Sequence, residues 1–115
     1  MFTQAYQEAA EDEQQSARDG EREIIERTIQ QMIQSDLDPQ NSNIRVSALH
    51  FTLQVWTYFL NDLASPENLT PKELKASLIS IGIFIMRHLE NMRQDPSLKF
   101  KPIREISETI REGLK

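Results

Sequence analysis

Ser47, His50 and Asp62 supply the three residue types of a nucleophilic triad, and His50 and His88 are the only imidazoles available for metal binding or proton transfer near neutrality. The spacing supports neither chemistry. Ser47 and His50 fall on a polar helix face with no identifiable oxyanion donor beside them, and the two histidines sit in no metal-ligand pattern. No H-E-x-x-H, Gly-rich phosphate loop or G-x-S-x-G turn occurs. The chain has no cysteine, which removes thiolate sites and disulfides and is compatible with a reducing compartment. Neither an enzyme nor a cofactor is expected. Asn68-Leu69-Thr70 matches a glycosylation acceptor, but Pro71 follows it. The N-terminus, MFTQAYQEAAEDEQQ, has neither the basic start nor the apolar stretch of a secretory signal. Thr70 is better read as a helix cap, and the expected location is the cytoplasm.

What remains is surface chemistry. Leu78–Met86, "LISIGIFIM", is the most apolar run. A membrane-spanning helix needs about 20 predominantly apolar residues, and this run is closed by Lys75 and Arg87. The choice is between a core and a surface kept for a partner. Charge narrows the partner. Residues 1–27 hold eight acids and three bases, whereas residues 28–115 hold ten of each. Arg87, Arg93, Lys99, Lys101 and Arg104 form a basic region against Glu90 and Asp95, which suggests complementarity within the chain. No continuous basic stripe with interleaved aromatics exists, so direct nucleic-acid binding is not expected.

The elements that must carry these residues are set by proline. A chain of 115 residues fits one domain. Its five prolines lie in three clusters, at 39, at 66 and 71, and at 96 and 102, and so cut it into four helical pieces. The first spans about Gln14 to Ser35, with Ile25, Ile29, Met32 and Ile33 on one face and Gly20 weakening its first turns. The second runs from Ser42 or Asn43 to Ala64, with Asn41, Ser42 or Asn43 as N-cap. Thr70-Pro71-Lys72-Glu73 reads as a capping box that opens the third. The fourth spans about Pro102 to Glu112, with Ile103, Ile106 and Ile110 as its stripe and Gly113 as C-cap. No strand pattern competes, so the expected fold is all-α, a compact bundle of about four antiparallel helices over residues 1–115. Residues 1–13 are open between an extended arm, an additional helical turn and a segment ordered by a partner.

Two helices have more apolar surface than one core needs. In the second, Ser47, His50, Gln54, Thr57 and Asn61 form a narrow polar stripe, and nearly everything else is large and apolar. It reads as the central helix, with Leu49, Leu53, Trp56, Leu60 and Leu63 on one side and Phe51, Val55, Tyr58 and Phe59 on the other. In the third, Leu74, Leu78, Ile81, Ile85, Leu89 and Met92 form a core stripe. Ile79, Ile83 and Met86 form a second ridge roughly 130° away at about 100° per residue, and Phe84 points elsewhere again. Gly82 permits close approach of a neighbour. The second ridge either covers the first or fourth helix, or docks an amphipathic partner helix together with Phe84 and an aromatic edge of the second helix. On the docking alternative the partner-binding residues are Phe51, Tyr58, Ile79, Ile83, Phe84 and Met86.

The segment "LQVWTYFLNDLASPENLTPKELKASLISIGIFIMR", Leu53 to Arg87, resembles the FlaF family of bacterial flagellar proteins, most specifically in "LNDLASPEN" and "LISIG". The resemblance extends to Ala5-Tyr6 and "REIIERTI" on one side and to "FKPIREISETIREGL" on the other, and so covers nearly the whole chain. It departs at Phe84, where the family pattern leads one to expect Trp. The resemblance implies a non-enzymatic role in flagellin synthesis and export, alongside a companion protein, FlbT, that restrains flagellin production. Flagellin, through an amphipathic terminal helix, is the implied partner of a cytoplasmic chaperone or adaptor. The alternative is a regulator that acts on flagellin mRNA directly or through FlbT.

Overall fold

The computed structural model describes the backbone of residues 2–113 and the side chains of residues 15–113. Four helices follow one another: α1 (Phe2–Leu37), α2 (Ser42–Ala64), α3 (Lys72–Gln94) and α4 (Lys101–Gly113). The proline clusters fall at their boundaries, as expected of a residue without a backbone N–H. In space the order is α3, α2, α1, α4, each antiparallel to its neighbour, so α1 and α2 share the central position given to α2 alone from sequence.

The core collects one stripe from each helix: Ile25, Ile29 and Met32 of α1, Ala48 and Trp56 of α2, Ile85, Leu89 and Met92 of α3, and Phe100 with Ile103 leading into α4. Two buried hydroxyls are satisfied within their own helices, Thr28 donating to the Ile25 carbonyl at 2.7 Å and Ser107 to the Ile103 carbonyl at 2.8 Å, whereas that of Thr52 has no partner. The polar stripe of α2 faces solvent throughout. Gly82 is buried against α2. A Cβ there would lie 2.5 Å from Leu60 Cδ2, so this glycine sets how closely α3 approaches α2.

Four expectations need correction. α1 begins at Phe2 rather than near Gln14. At 1.5 Å per residue its 36 residues span about 54 Å, most of the 60 Å long axis of the molecule. The Thr70 capping box does not form. Pro71 occupies the N-cap position, has no side-chain acceptor, and offers only its carbonyl, to the Lys75 amide at 2.8 Å. Asn68 organises the entry instead: its side chain accepts from the Thr70 amide at 3.0 Å and donates to Asp62 at 3.1 Å, and its carbonyl accepts from Lys75 Nζ at 3.0 Å. Gly113 has no left-handed φ and so is not an αL cap. Leu74, placed in the core stripe, is 51% exposed, because the first turn of α3 reaches the end of the bundle, where no helix covers it. The Asn41 cap is present, its side chain accepting from the Ile44 amide at 3.1 Å.

The other end is closed by polar contacts of long sequence separation. Arg45, one turn into α2, donates to the carbonyls of Leu98 (2.7 Å), Met92 (2.8 Å) and Asp95 (3.1 Å). Asp36, near the end of α1, accepts from the Phe100 amide at 2.9 Å, and His88 Nε2 contacts the Lys99 carbonyl at 2.7 Å. Arg45→Met should therefore cost about 2–3 kcal/mol of folding stability, since it strands carbonyls that a charged donor now satisfies. Urea denaturation should read that loss, and hydrogen exchange should show residues 95–100 losing protection first.

Candidate functional site

The triad residues do not assemble. Ser47 and His50 are exposed on the outer stripe of α2, and Asp62 lies twelve residues beyond His50, roughly 18 Å along the helix. Among the described residues no group of three or more His, Asp or Glu could hold a metal ion, and no helix is long and apolar enough to cross a membrane. Two apolar grooves stand out among the described residues.

The first lies between α2 and α3 and has a volume of about 660 Å³. α2 contributes Ser42, Val46, Leu49 and Leu53, a run at helical spacing. α3 contributes Met86, Leu89 and Met92 as floor, with Glu90 and Arg93 at the rim. Glu90 and Arg93 pair with each other at 3.1 Å. Val46 is 62% exposed, and Ile83, one turn from Met86, is 45% exposed. Apolar side chains thus stand on two ridges with polar groups at the edge.

The six residues singled out from sequence fall on three surfaces. Met86 lines the α2–α3 groove, and Ile79 and Ile83 continue that flank of α3, with Ile79 half-buried. Their ridge thus borders α2 rather than covering α1 or α4. Phe51, half-buried, and Tyr58, exposed, lie on the opposite flank of α2, roughly 160–180° from the Leu60 position that meets α3. The Tyr58 ring rests 5.9 Å from that of Phe59. Phe84, 49% exposed, is roughly 160° around α3 from Met86. Sequence reasoning missed Val46, Leu49 and Leu53 as groove residues. Their spacing of three and four was a signal, but Leu49 and Leu53 were absorbed into the core side of α2.

The second groove, of about 390 Å³, opens at the far end, where α1 leaves the bundle. Ile25, Trp56, Phe59, Leu63, Leu74, Leu78 and Ile110 form its apolar wall, and Glu21, Asp62, Asn68 and Thr70 its polar edge. Trp56 meets Phe59 edge to face at 5.7 Å, and its indole N–H has no acceptor. Glu21 is exposed overall, yet loss of water at the groove mouth, and secondarily the charge of Asp62, raises its carboxyl above the ordinary value of 4.5, with Arg18 opposing.

A family model described as "Flagellar protein FlaF" matches residues 2–114. No curated protein and no solved structure gave a match.

The raised Glu21 has a stability consequence. A carboxyl that takes up a proton more readily when folded contributes stability below its unfolded value, and loses that contribution as pH rises through the folded one. Ionised Glu21 therefore weakens the fold at neutral pH. Glu21→Gln should raise the urea midpoint slightly at pH 7, and the advantage over the parent chain should vanish below about pH 4.5.

Proposed function

Because the chain belongs to the FlaF family of flagellar proteins, we propose that it is a cytoplasmic, non-enzymatic chaperone or adaptor that holds flagellin, supporting its accumulation and export. The α2–α3 groove is the seat, and an amphipathic terminal helix of flagellin is the occupant. The observation that carries this is the pair of ridges: Val46, Leu49 and Leu53 line one side and Met86, Leu89 and Met92 the other of a groove that no described helix fills, and exposed Ile83 lies one turn beyond Met86. Long amphipathic helices associate through their apolar faces when free, and covering one face in such a groove prevents that. No cofactor is needed for the task, and the charge balance of residues 28–115 gives no electrostatic basis for selecting an RNA.

The test uses Val46→Asp and Ile83→Ser, both at exposed positions where substitution changes stability by about 0.5 kcal/mol or less. Each should weaken binding to purified flagellin about tenfold or more, equal to about 1.4 kcal/mol, at an unchanged urea midpoint. Flagellin lacking its terminal helices should bind neither the parent chain nor the variants. Retained affinity in both variants would remove the groove from consideration. Tight, salt-sensitive and sequence-selective binding to flagellin mRNA would favour the regulator instead.

A further inference from the structure

We infer that the groove at the α1 end is a second docking site, for an amphipathic helix of a protein partner that carries lysine or arginine one turn from its large apolar side chains. This goes beyond the flagellin seat and does not depend on where flagellin binds. The groove offers Trp56, Phe59 and Leu78 as an apolar wall, with Leu74 half exposed at its edge. Nothing in the described chain covers it, since α1 runs on past the ends of α2 and α4 and residues 15–20 are all exposed.

Charge decides the chemistry of the occupant. Glu21 and Asp62 stand at the rim close enough for Asp62 to disfavour ionisation of Glu21, and neither makes an ion pair with a described cation. Asp62 is met only by the neutral amide of Asn68, and Arg18 acts on Glu21 at a distance. Residues 1–27, with eight acids and three bases, are the acid-rich part of the sequence, and Glu21 and Ile25 of this stretch line the groove. An ammonium or guanidinium from a partner would relieve this repulsion, while its apolar side chains filled the groove. An acidic or wholly neutral helix would leave two carboxylates uncompensated at a newly dried interface. Two neighbouring carboxylates at the rim of an unfilled apolar wall, one of them disfavouring ionisation of the other, mark a site suited to binding rather than to stability.

Trp56 is the single tryptophan and lines this groove, so its emission reports occupancy of this groove. The probe is a tryptophan-free helical peptide with leucines at positions i, i+3, i+4 and i+7 and lysines flanking them. A second peptide has each lysine replaced by glutamate. Titrated into the full chain at low salt, the lysine peptide should shift Trp56 emission and bind about fivefold or more tightly than the glutamate peptide, the scale of one or two exposed ion pairs. In the double variant Glu21→Gln, Asp62→Asn the two affinities should converge to within about twofold, with a urea midpoint no lower than that of the parent chain. That combination separates a binding role from a structural one, since a structural carboxylate would lower the midpoint on removal. No shift of Trp56 emission with the lysine peptide, or equal affinity of the two peptides for the parent chain, overturns the proposal. A shift that follows protein concentration alone assigns the groove to a second copy of the chain and also overturns it.

Discussion

The Arg45 guanidinium fixes one end of the molecule. A helix leaves its last carbonyls without intrahelical donors, and at the end of α3 this deficit coincides with the negative end of the helix dipole. Arg45 meets both needs at once. Its planar fork supplies several N–H groups in fixed directions, and it reaches the carbonyls of Met92 in α3 and of Asp95 and Leu98 in the connection to α4. Asp95 is itself held below the ordinary carboxyl range by the hydroxyl and amide of Ser97. The connection is thereby set on a path that delivers the Phe100 amide to Asp36 of α1 and buries the Phe100 ring completely. Lysine could not replace this residue, because a single ammonium has no planar fork to span three carbonyls.

Closing one end this way has consequences for the surfaces along the rest of the bundle. With α3 held by its C-terminal end and pressed to α2 at Gly82, only one stripe of α3 meets a neighbour. The run from Leu78 to Met86 then divides by angle: Gly82 and Ile85 are buried, Leu78, Ile79, Ile81 and Met86 are partly covered, and Ile83 and Phe84 face outward. Its apolar character comes from two jobs on one helix. Gly82 permits the close approach between helices, and the larger residues beyond the contact make the walls of a groove.

The fold was largely legible because the signals for it are local. Proline positions, the Ile25, Ile29 and Met32 stripe, the Asn41 cap and the polar stripe of α2 each lie within a few residues of the structure they specify. The failures are also physical. The supposed cap at Thr70 lost its role to a one-residue shift that placed Pro71 in the capping position, and Leu74 belongs to the core stripe in phase but sits beyond the end of the bundle. The candidate site was only half legible. A helical wheel gives angles within one helix, and so set Phe84 apart from Ile79, Ile83 and Met86, but it does not give the relative rotation of two helices, so Phe51 and Tyr58 of α2 could not be separated from the flank of α3 carrying that ridge. Arg45 was invisible for a related reason: its acceptors are 47 to 53 residues away and are backbone atoms, which leave no mark on side-chain pattern.

The two ends of the bundle use charge in opposite ways, and α1 shows the transition within five residues. Glu26 pairs with Arg111 of α4 at 2.7 Å, and hydrogen bonds from Gln30 and then Arg111 hold its carboxyl below the ordinary range. Glu21, little more than a turn nearer the N-terminus, is held above it. The Glu26–Arg111 pair is partly exposed, and such pairs are worth about 1 kcal/mol or less, so its main effect is positional. It fastens the last turns of α4 to α1 just below the second groove and thus keeps Ile110 in the groove wall. Beyond that pair no described cation meets the carboxylates of Glu21 and Asp62 in an ion pair, and residues 15–20 are exposed. The change from a carboxylate paired across the bundle to one left unpaired at a groove mouth falls between these two glutamates.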